Sequence, residues 1–189
     1  MPEKGNLFII SGPSGVGKGT LVAAVLQRLE NIQVSISATT RLPRLGDIPD
    51  QSYHFFSDQQ FDEMISTDGF LEWAVIHGQR YGTLMSEVNK ILKTGNDMIL
   101  EIDIQGNNAV KAKMPEAISI FIAPPNMQEL ENRLRNRHSE DDLKIKQRLK
   151  TAELEIESKD GYNVVIVNED LDAAINELVS LISGYRLKN

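Results

Sequence analysis

Four short runs of consecutive apolar residues are typical of parallel strands, which are buried because the connecting helices cover both faces of the sheet. The runs lie near 7–11, 97–103, 118–122 and 163–167. Elsewhere apolar residues recur every three to four positions, which predicts amphipathic helices. These helical segments lie near 18–30, 84–94, 126–137, 140–158 and 170–183. The alternation predicts an α/β chain with a doubly wound parallel sheet that binds ligands at the carboxyl ends of its strands.

Residues 38 to about 83 depart from this alternation and predict a small, strand-rich insertion. The pattern is interrupted by Pro43, Gly46 and Pro49. Residues 53–56 and 70–75 are rich in aromatic and other strand-forming residues, and we interpret them as antiparallel strands. Residues 35–37 are interpreted as one more core strand that leads into the insertion. The predicted division is a core of residues 1–37 and 84–189, with a lid at about 126–148, and an insertion of residues 38–83.

The composition narrows the class of protein. A chain of 189 residues with 41% hydrophobic content can bury one α/β core. It has no cysteine, no long apolar run and no signal-peptide pattern, so we expect a cytoplasmic protein without a membrane partner. Its net charge of −7 argues against a nucleic-acid partner, and its three histidines lack metal-ligand spacing. Arginines are nevertheless concentrated at 41–44 and 133–148.

A glycine-rich segment follows the first apolar run and precedes the first predicted helix. It consists of Gly12, Pro13, Ser14, Gly15, Val16, Gly17, Lys18, Gly19 and Thr20. Between a strand and a helix, two glycines and a lysine at this spacing predict a phosphate-binding loop, because backbone N–H groups and the helix N-terminus together attract an anion. The alternative is a glycine-rich connection without a ligand. We interpret the segment as the binding site of a nucleoside triphosphate.

The residue after Lys18 bears on metal binding. Phosphate-binding loops commonly place a hydroxyl there as a magnesium ligand, whereas this chain has Gly19 followed by Thr20. Either Thr20 reaches the ion, or Mg²⁺ is held mainly by phosphates and water, which it accepts readily. Nucleoside monophosphate kinases tolerate this arrangement, so the departure favours that class.

Three further polar groups suggest binding chemistry, and each has a structural alternative. Arg41 and Arg44, with Tyr53 downstream, could receive a second phosphate or form a solvated basic loop. Glu72 stands among apolar residues, where it could accept hydrogen bonds from a base or face outward from a strand. Arg133 and Arg137 share a helix face, and with Arg148 they could surround a phosphoryl group or form surface salt bridges with acidic neighbours.

Taken together, these motifs resemble the guanylate kinase family over essentially the whole chain. The matching segments are the phosphate loop at 12–18, Ser37 to Arg44 with Tyr53, Phe70 to Ala74, Tyr81 to Thr83, Glu101 to Gly106, Ile120 to Pro125, Arg133 to Arg137 and Val165 to Asp170. The resemblance implies a three-layer α/β/α P-loop fold with a parallel core sheet, a small strand-rich GMP-binding insertion and a helical lid. It also implies phosphoryl transfer from ATP to GMP with Mg²⁺, giving ADP and GDP in purine nucleotide metabolism.

The resemblance assigns a role to each matching position. The GMP phosphate would be held by Arg41, Arg44, Tyr53 and Tyr81. Ser37 and Thr83 would meet the guanine O6 side, and Glu72 and Asp103 would accept from N1–H and the 2-amino group. The transferring phosphoryl group would be surrounded by Lys18, Arg133, Arg137 and Arg148. The phosphate loop, residues 12–20, would bind ATP, with Asn168 on the adenine side.

The chain also departs from the family pattern. Arg80 replaces a common second tyrosine, and Asn136 and His138 stand where lid glycines are usual. A C-terminal extension common in bacterial members is missing from this sequence, so a monomer and a homodimer both remain open. The alternative functions are a catalytically inactive guanylate-kinase-like protein-binding module and a kinase for another nucleoside monophosphate. Lys18 with the lid arginines argues against the first, and Glu72 with the Ser37–Arg44 segment argues against the second.

Overall fold

The computed structural model describes residues 4–76, 78–136 and 142–187, and helices connect the successive strands of its core. The strands are β1 (Leu7–Ser11), β2 (Ile32–Val34), β3 (Ala38–Thr39), β4 (His54–Phe55), β5 (Phe70–Ile76), β6 (Gln79–Leu84), β7 (Asp97–Glu101), β8 (Ile118–Ala123) and β9 (Val164–Val167). The α-helices are α1 (Lys18–Arg28), α2 (Asp58–Ser66), α3 (Met85–Lys93), α4 (Ile104–Lys113), α5 (Met127–Arg135), α6 (Asp142–Glu157) and α7 (Leu171–Arg186).

The central sheet is parallel, with the strand order β2-β7-β1-β8-β9. Side chains alternate along a strand, so β1 contributes Phe8 and Ile10 to one apolar cluster and Leu7 and Ile9 to another. Helices α1 and α7 pack into the first cluster, and α3 and α4 pack into the second. This arrangement confirms the predicted three-layer α/β/α fold. Among the described helices, none combines the length and apolar character needed to cross a membrane.

A second sheet, in the order β4-β3-β6-β5, stands beside the core. Strands β5 and β6 form an antiparallel hairpin, and β3 pairs with β6 in the same sense. Helix α2 contributes Phe61 to a small apolar cluster with Ala38 and Phe70. Strand β4 runs parallel to β3, so the expectation that residues 53–56 form an antiparallel strand is wrong.

The predicted core strand at 35–37 is also wrong, because the edge strand of the core is β2 and ends at Val34. Residues 35–37 instead connect the two sheets. The Ser35 N–H donates to Ile99 O in the core, and Ser37 O accepts from the His54 N–H in the second sheet. The expected strand at 97–103 is too long, because Asp103 caps the N-terminus of α4 and the strand ends at Glu101.

Candidate active site

The phosphate loop joins β1 to α1 in a conformation that favours glycine. Gly12 and Gly17 have φ angles of 144° and 100°, which L side chains rarely adopt. A Cβ atom on Gly12 would lie 2.2 Å from Ile122 O on β8, so the loop also needs glycine there for space. The Lys18 Nζ donates to Gly12 O at 2.5 Å and to Pro13 O at 3.2 Å, which holds the ammonium group over the loop.

Asn168 lies against the phosphate loop, directly after β9. Its side chain is 3% exposed, and Nδ2 donates to Val16 O at 2.8 Å. A Cβ atom on Gly17 would lie 2.7 Å from the same Nδ2. The Asn168 Oδ1 has no hydrogen-bond partner among the described residues. Asn168 therefore supports the loop and retains an acceptor there.

A cavity of about 410 Å³ connects the phosphate loop to the second sheet. Its lining includes eight of the residues singled out from the sequence: Gly12, Ser14, Lys18, Ser37, Tyr53, Glu72, Tyr81 and Asp103. Glu101 and Glu155 also line it, and sequence reasoning gave neither of them a role. Glu101 stands two residues before Asp103 in a recognised motif, whereas nothing in the helical pattern around Glu155 distinguishes it.

Glu72 is held at the wall of this cavity and is only 8% exposed. Thr83 Oγ1 donates to Glu72 Oε1 at 2.6 Å, which places two of the four predicted guanine-side residues together. Burial raises the pKa of the Glu72 carboxyl group, the Thr83 hydrogen bond opposes that change, and the charge of Asp103 adds to it. Asp103 itself accepts from the Gly106 N–H at 2.8 Å as the N-cap of α4.

Arg41, Tyr53 and Tyr81 are neighbours on the second sheet and its adjoining loop. The Arg41 guanidinium lies 5.0 Å from the centre of the Tyr53 ring, and the Tyr53 and Tyr81 rings are 6.0 Å apart. Asp47, which sequence reasoning missed, pairs with Arg41 Nη1 at 2.9 Å and accepts from the Arg44 N–H at 2.7 Å. Tyr53 and Tyr81 line the cavity, whereas neither Arg41 nor Arg44 does, and Arg44 is exposed.

The lid arginines occupy different positions. Arg148 on α6 reaches the phosphate loop, where its Nη1 donates to Ser14 Oγ at 3.0 Å. Arg133 on α5 pairs with Glu129 at 3.0 Å, one helical turn away, as the surface-pair alternative expected. Arg137 and His138 lie outside the described residues. Of the lid arginines within the described residues, the structure thus brings Arg148 to the loop.

The family assignment rests on comparison over nearly the whole chain. A family model described as guanylate kinase matches residues 4–185. The chain belongs to the guanylate kinase family. The resemblance inferred from the separate motifs is thereby confirmed.

Individual guanylate kinases match over most of their length. The guanylate kinase of Caldanaerobacter subterraneus is 45% identical over 98% of this chain and 90% of its own. That of Syntrophomonas wolfei is 46% identical over 100% of this chain and 96% of its own. The crystal structure of guanylate kinase from Anaplasma phagocytophilum superimposes with a TM-score of 0.75 at 30% identity, covering 97% of this chain and 87% of that one. The chain is thus an enzyme of this class, and nothing in these comparisons favours an inactive binding module.

Guanylate kinases use ATP and generally need a divalent metal ion. The described residues contain no group of three or more His, Cys, Asp or Glu side chains suited to a metal. Oxygen donors are nevertheless present where α1 begins, because Thr20 lies in its first turn and a Cβ atom on Gly19 would be 3.9 Å from Glu101 Oε2. Mg²⁺ prefers oxygen ligands and retains much of its water, so this donor chemistry fits Mg²⁺.

Proposed function

We propose that this protein transfers the terminal phosphoryl group of ATP to GMP, giving ADP and GDP. The observation that carries the proposal is the single cavity that Lys18 of the phosphate loop shares with Glu72 of the second sheet. One end offers a site for the donor's phosphates, and the other offers a buried carboxylate for a base. We further propose that residues 38–83 act as the GMP-binding insertion, and residues 1–37 and 84–189 as the core with the lid at about 126–148.

The base would be selected by the pattern of donors and acceptors at the Glu72 end. Guanine presents N1–H and a 2-amino group as donors, and the carboxylates of Glu72 and Asp103 would accept hydrogen bonds from them. Adenine has an acceptor at the N1 position and would leave the buried Glu72 carboxylate unpaired, which is costly. Ser37 and Thr83 would lie toward the guanine O6. The Thr83 hydroxyl already orients one oxygen of Glu72.

The phosphate of GMP would be received by Arg41, Arg44, Tyr53 and Tyr81. A guanidinium group offers several N–H donors in a plane that matches phosphate oxygens. Asp47 and the Tyr53 ring fix the Arg41 guanidinium in place before any substrate binds. Arg44 would have to turn inward from its exposed position as residues 38–83 move toward the core.

The transfer step requires positioning and neutralisation of charge rather than a covalent intermediate. Lys18, Arg133, Arg137 and Arg148 would surround the phosphoryl group as negative charge spreads over its oxygens. Arg148 is already at the loop through Ser14, so a small movement of α6 brings it over the phosphates. The lid would also exclude water, which otherwise hydrolyses ATP.

The metal ion of the reaction would be Mg²⁺, held mainly by phosphates and water, with the Thr20 hydroxyl as a candidate ligand. When bound, it reduces the negative charge on the phosphates. Glu101 lies where it can accept hydrogen bonds from the water around such an ion. Asn168 would contribute its unpaired Oδ1 on the adenine side. We propose that the enzyme works in the cytoplasm, in purine nucleotide metabolism, as a monomer or homodimer, with neither membrane nor nucleic acid as a partner.

An assay of ADP formation tests this proposal with GMP, dGMP, AMP and UMP offered in turn. The kcat/KM for GMP should exceed the values for AMP and UMP by at least about a hundredfold, because a polar site rejects a base that leaves its groups unpaired. Equal kcat/KM values for AMP and GMP would overturn the proposal that the site selects guanine. Absence of ADP formation with all four would favour the protein-binding alternative.

The variant Lys18→Ala tests the donor end of the cavity. The lost charge acts mainly on the transition state, so kcat should fall by about a thousandfold or more. Thermal unfolding and circular dichroism should stay close to those of the parent, which would separate loss of chemistry from loss of fold. Near-normal turnover at saturating substrates would contradict the kinase assignment.

A further inference from the structure

Gly106 lies in the first turn of α4, directly behind the carboxyl group of Glu72. A Cβ atom built on Gly106 would be 3.2 Å from Glu72 Oε2, 3.1 Å from Ile102 Cβ and 3.2 Å from Ile102 Cδ1. The backbone of Gly106 is helical, so its conformation does not require glycine, and alanine is the better helix former. Lack of space therefore accounts for glycine at this position.

The groups in contact with Gly106 have little freedom to move away from an added methyl group. The Cβ atom of Ile102 is attached to the backbone between β7 and α4. Glu72 belongs to β5, is 8% exposed, and is held by the 2.6 Å hydrogen bond from Thr83. A methyl group at position 106 would have to displace the Glu72 carboxyl group by a few tenths of an ångström. The free space next to this carboxyl group is the cavity, so the displacement would be toward the cavity.

We infer that Gly106 is a positioning residue for base selection: its missing side chain lets the Glu72 carboxylate sit deep enough in the wall to meet the guanine edge. This inference rests on the proposed function. It adds that the contact of Glu72 with α4, on the side away from the base, determines the distance between Glu72 and the base. Hydrogen bonds to charged groups are short and sensitive to distance and angle, so a small forward displacement of Glu72 weakens both contacts to guanine or prevents the base from entering fully.

The test compares Gly106→Ala with a matched control, Gly184→Ala. Gly184 is also helical, in α7, but a Cβ atom there meets nothing within 4 Å. We expect Gly106→Ala to raise KM for GMP by about five- to twentyfold, while KM for ATP stays within twofold of the parent. Gly184→Ala should leave all three constants, kcat and the two KM values, unchanged.

A double-mutant cycle with Glu72→Gln shows whether Gly106 acts through Glu72. In the Glu72→Gln background, Gly106→Ala should change KM for GMP by less than twofold, because the contact that it disturbs has already been lost. An equal rise in both backgrounds would show that Gly106 has a general packing role, and the inference would fail. If Glu72→Gln weakens GMP use while Gly106→Ala does not, the inference fails and the proposed function stands. If Glu72→Gln has no effect on GMP use, the proposed reading of guanine fails as well.

A second variant keeps the test decisive if Gly106→Ala does not fold. Ile102→Val removes the Cδ1 atom that lies 3.2 Å from the new methyl group and leaves Glu72 untouched. The double variant Ile102→Val/Gly106→Ala should therefore fold and still show the raised KM for GMP, relative to Ile102→Val alone. Equal KM values for those two proteins would overturn the inference.

Discussion

The environment of Glu72 suits a carboxylate that binds a ligand better than one that stabilises the fold. Its burial and the neighbouring charge of Asp103 both raise its pKa, and the Thr83 hydroxyl compensates only in part. A ligand that donates two hydrogen bonds favours the ionised form and lowers the pKa again. Binding of guanine and ionisation of Glu72 are therefore linked.

This linkage predicts how KM for GMP depends on pH. Because the pKa of Glu72 is raised, the carboxylate begins to take up a proton at a higher pH than an exposed glutamate, whose pKa is about 4.3. KM for GMP should therefore rise as the pH is lowered from 8 toward 5. The phosphate of GMP also changes charge near pH ~6, so the profile is compared with that of Glu72→Gln, which lacks the titrating group. Parallel profiles for the two proteins would contradict the linkage.

Individual residues were predictable from sequence where a motif or an unusual neighbourhood marked them. Glu72 was marked by the apolar residues around it, and Lys18 by the glycines before it. Asp47 was not marked, because a short loop acid gives no sign that it pairs with Arg41. The lack of space for a side chain at Gly106 could not be predicted either, because it depends on a contact between residues 34 positions apart in the chain.

At the scale of the elements, the buried strands and the amphipathic helices were predictable, and two helices were not. The buried face of α4 carries Gly106 and Asn107 beside Val110, so its apolar periodicity is weak. Helix α2 buries only Phe61, although Ser57 and Gln60 form a capping box that could have revealed its start. The parallel pairing of β4 with β3 depends on distant parts of the chain, and no local pattern specifies it.

The last helix, α7, packs into the apolar core and also forms an ion pair with the sheet, which allows a prediction about stability. Arg186 Nε donates to Asp97 Oδ2 at 2.6 Å, and the Asp97 side chain is only 4% exposed. Arg186→Met leaves a buried carboxylate supported only by Asn6 among its described partners, so the free energy of unfolding should fall by about 2 kcal/mol. Denaturant unfolding measures this change.

Arg28→Met provides the control for that experiment. Arg28 on α1 also contacts α7, through an exposed hydrogen bond to Asn176 at 2.7 Å. Its replacement should cost less than about 0.5 kcal/mol. Equal losses for the two variants would show that the buried ion pair stabilises the fold no more than the exposed hydrogen bond does. Neither variant should change KM for GMP, because both residues lie outside the cavity.

At the scale of the whole molecule, one cavity is lined by the phosphate loop, the segment that follows β7, the second sheet, and Glu155 on α6. Arg41 lies beside the second sheet and Arg148 on the lid, and like charges need an anion between them before they can approach. We expect residues 38–83 to stand open without nucleotide and to move inward when GMP binds. Small-angle scattering should give a smaller radius of gyration with GMP and an ATP analogue that cannot be hydrolysed. Substituting AMP for GMP is the control, and equal compactness in the free and fully bound states would rule out the closure.

The central claim is that Glu72 reads the guanine edge in a cavity shared with the phosphate loop. The most direct measurement is kcat/KM for GMP in Glu72→Gln, which keeps the size of the side chain but places a donor where guanine also has one. A hydrogen bond to a charged group contributes about 1.5–3 kcal/mol, so the efficiency with GMP should fall at least tenfold, while KM for ATP hardly changes. Arg41→Met is the comparison, because it should weaken the binding of every nucleoside monophosphate and leave the preference for guanine intact. Unaltered efficiency with GMP in Glu72→Gln would contradict the account and leave Glu72 as an ordinary strand carboxylate.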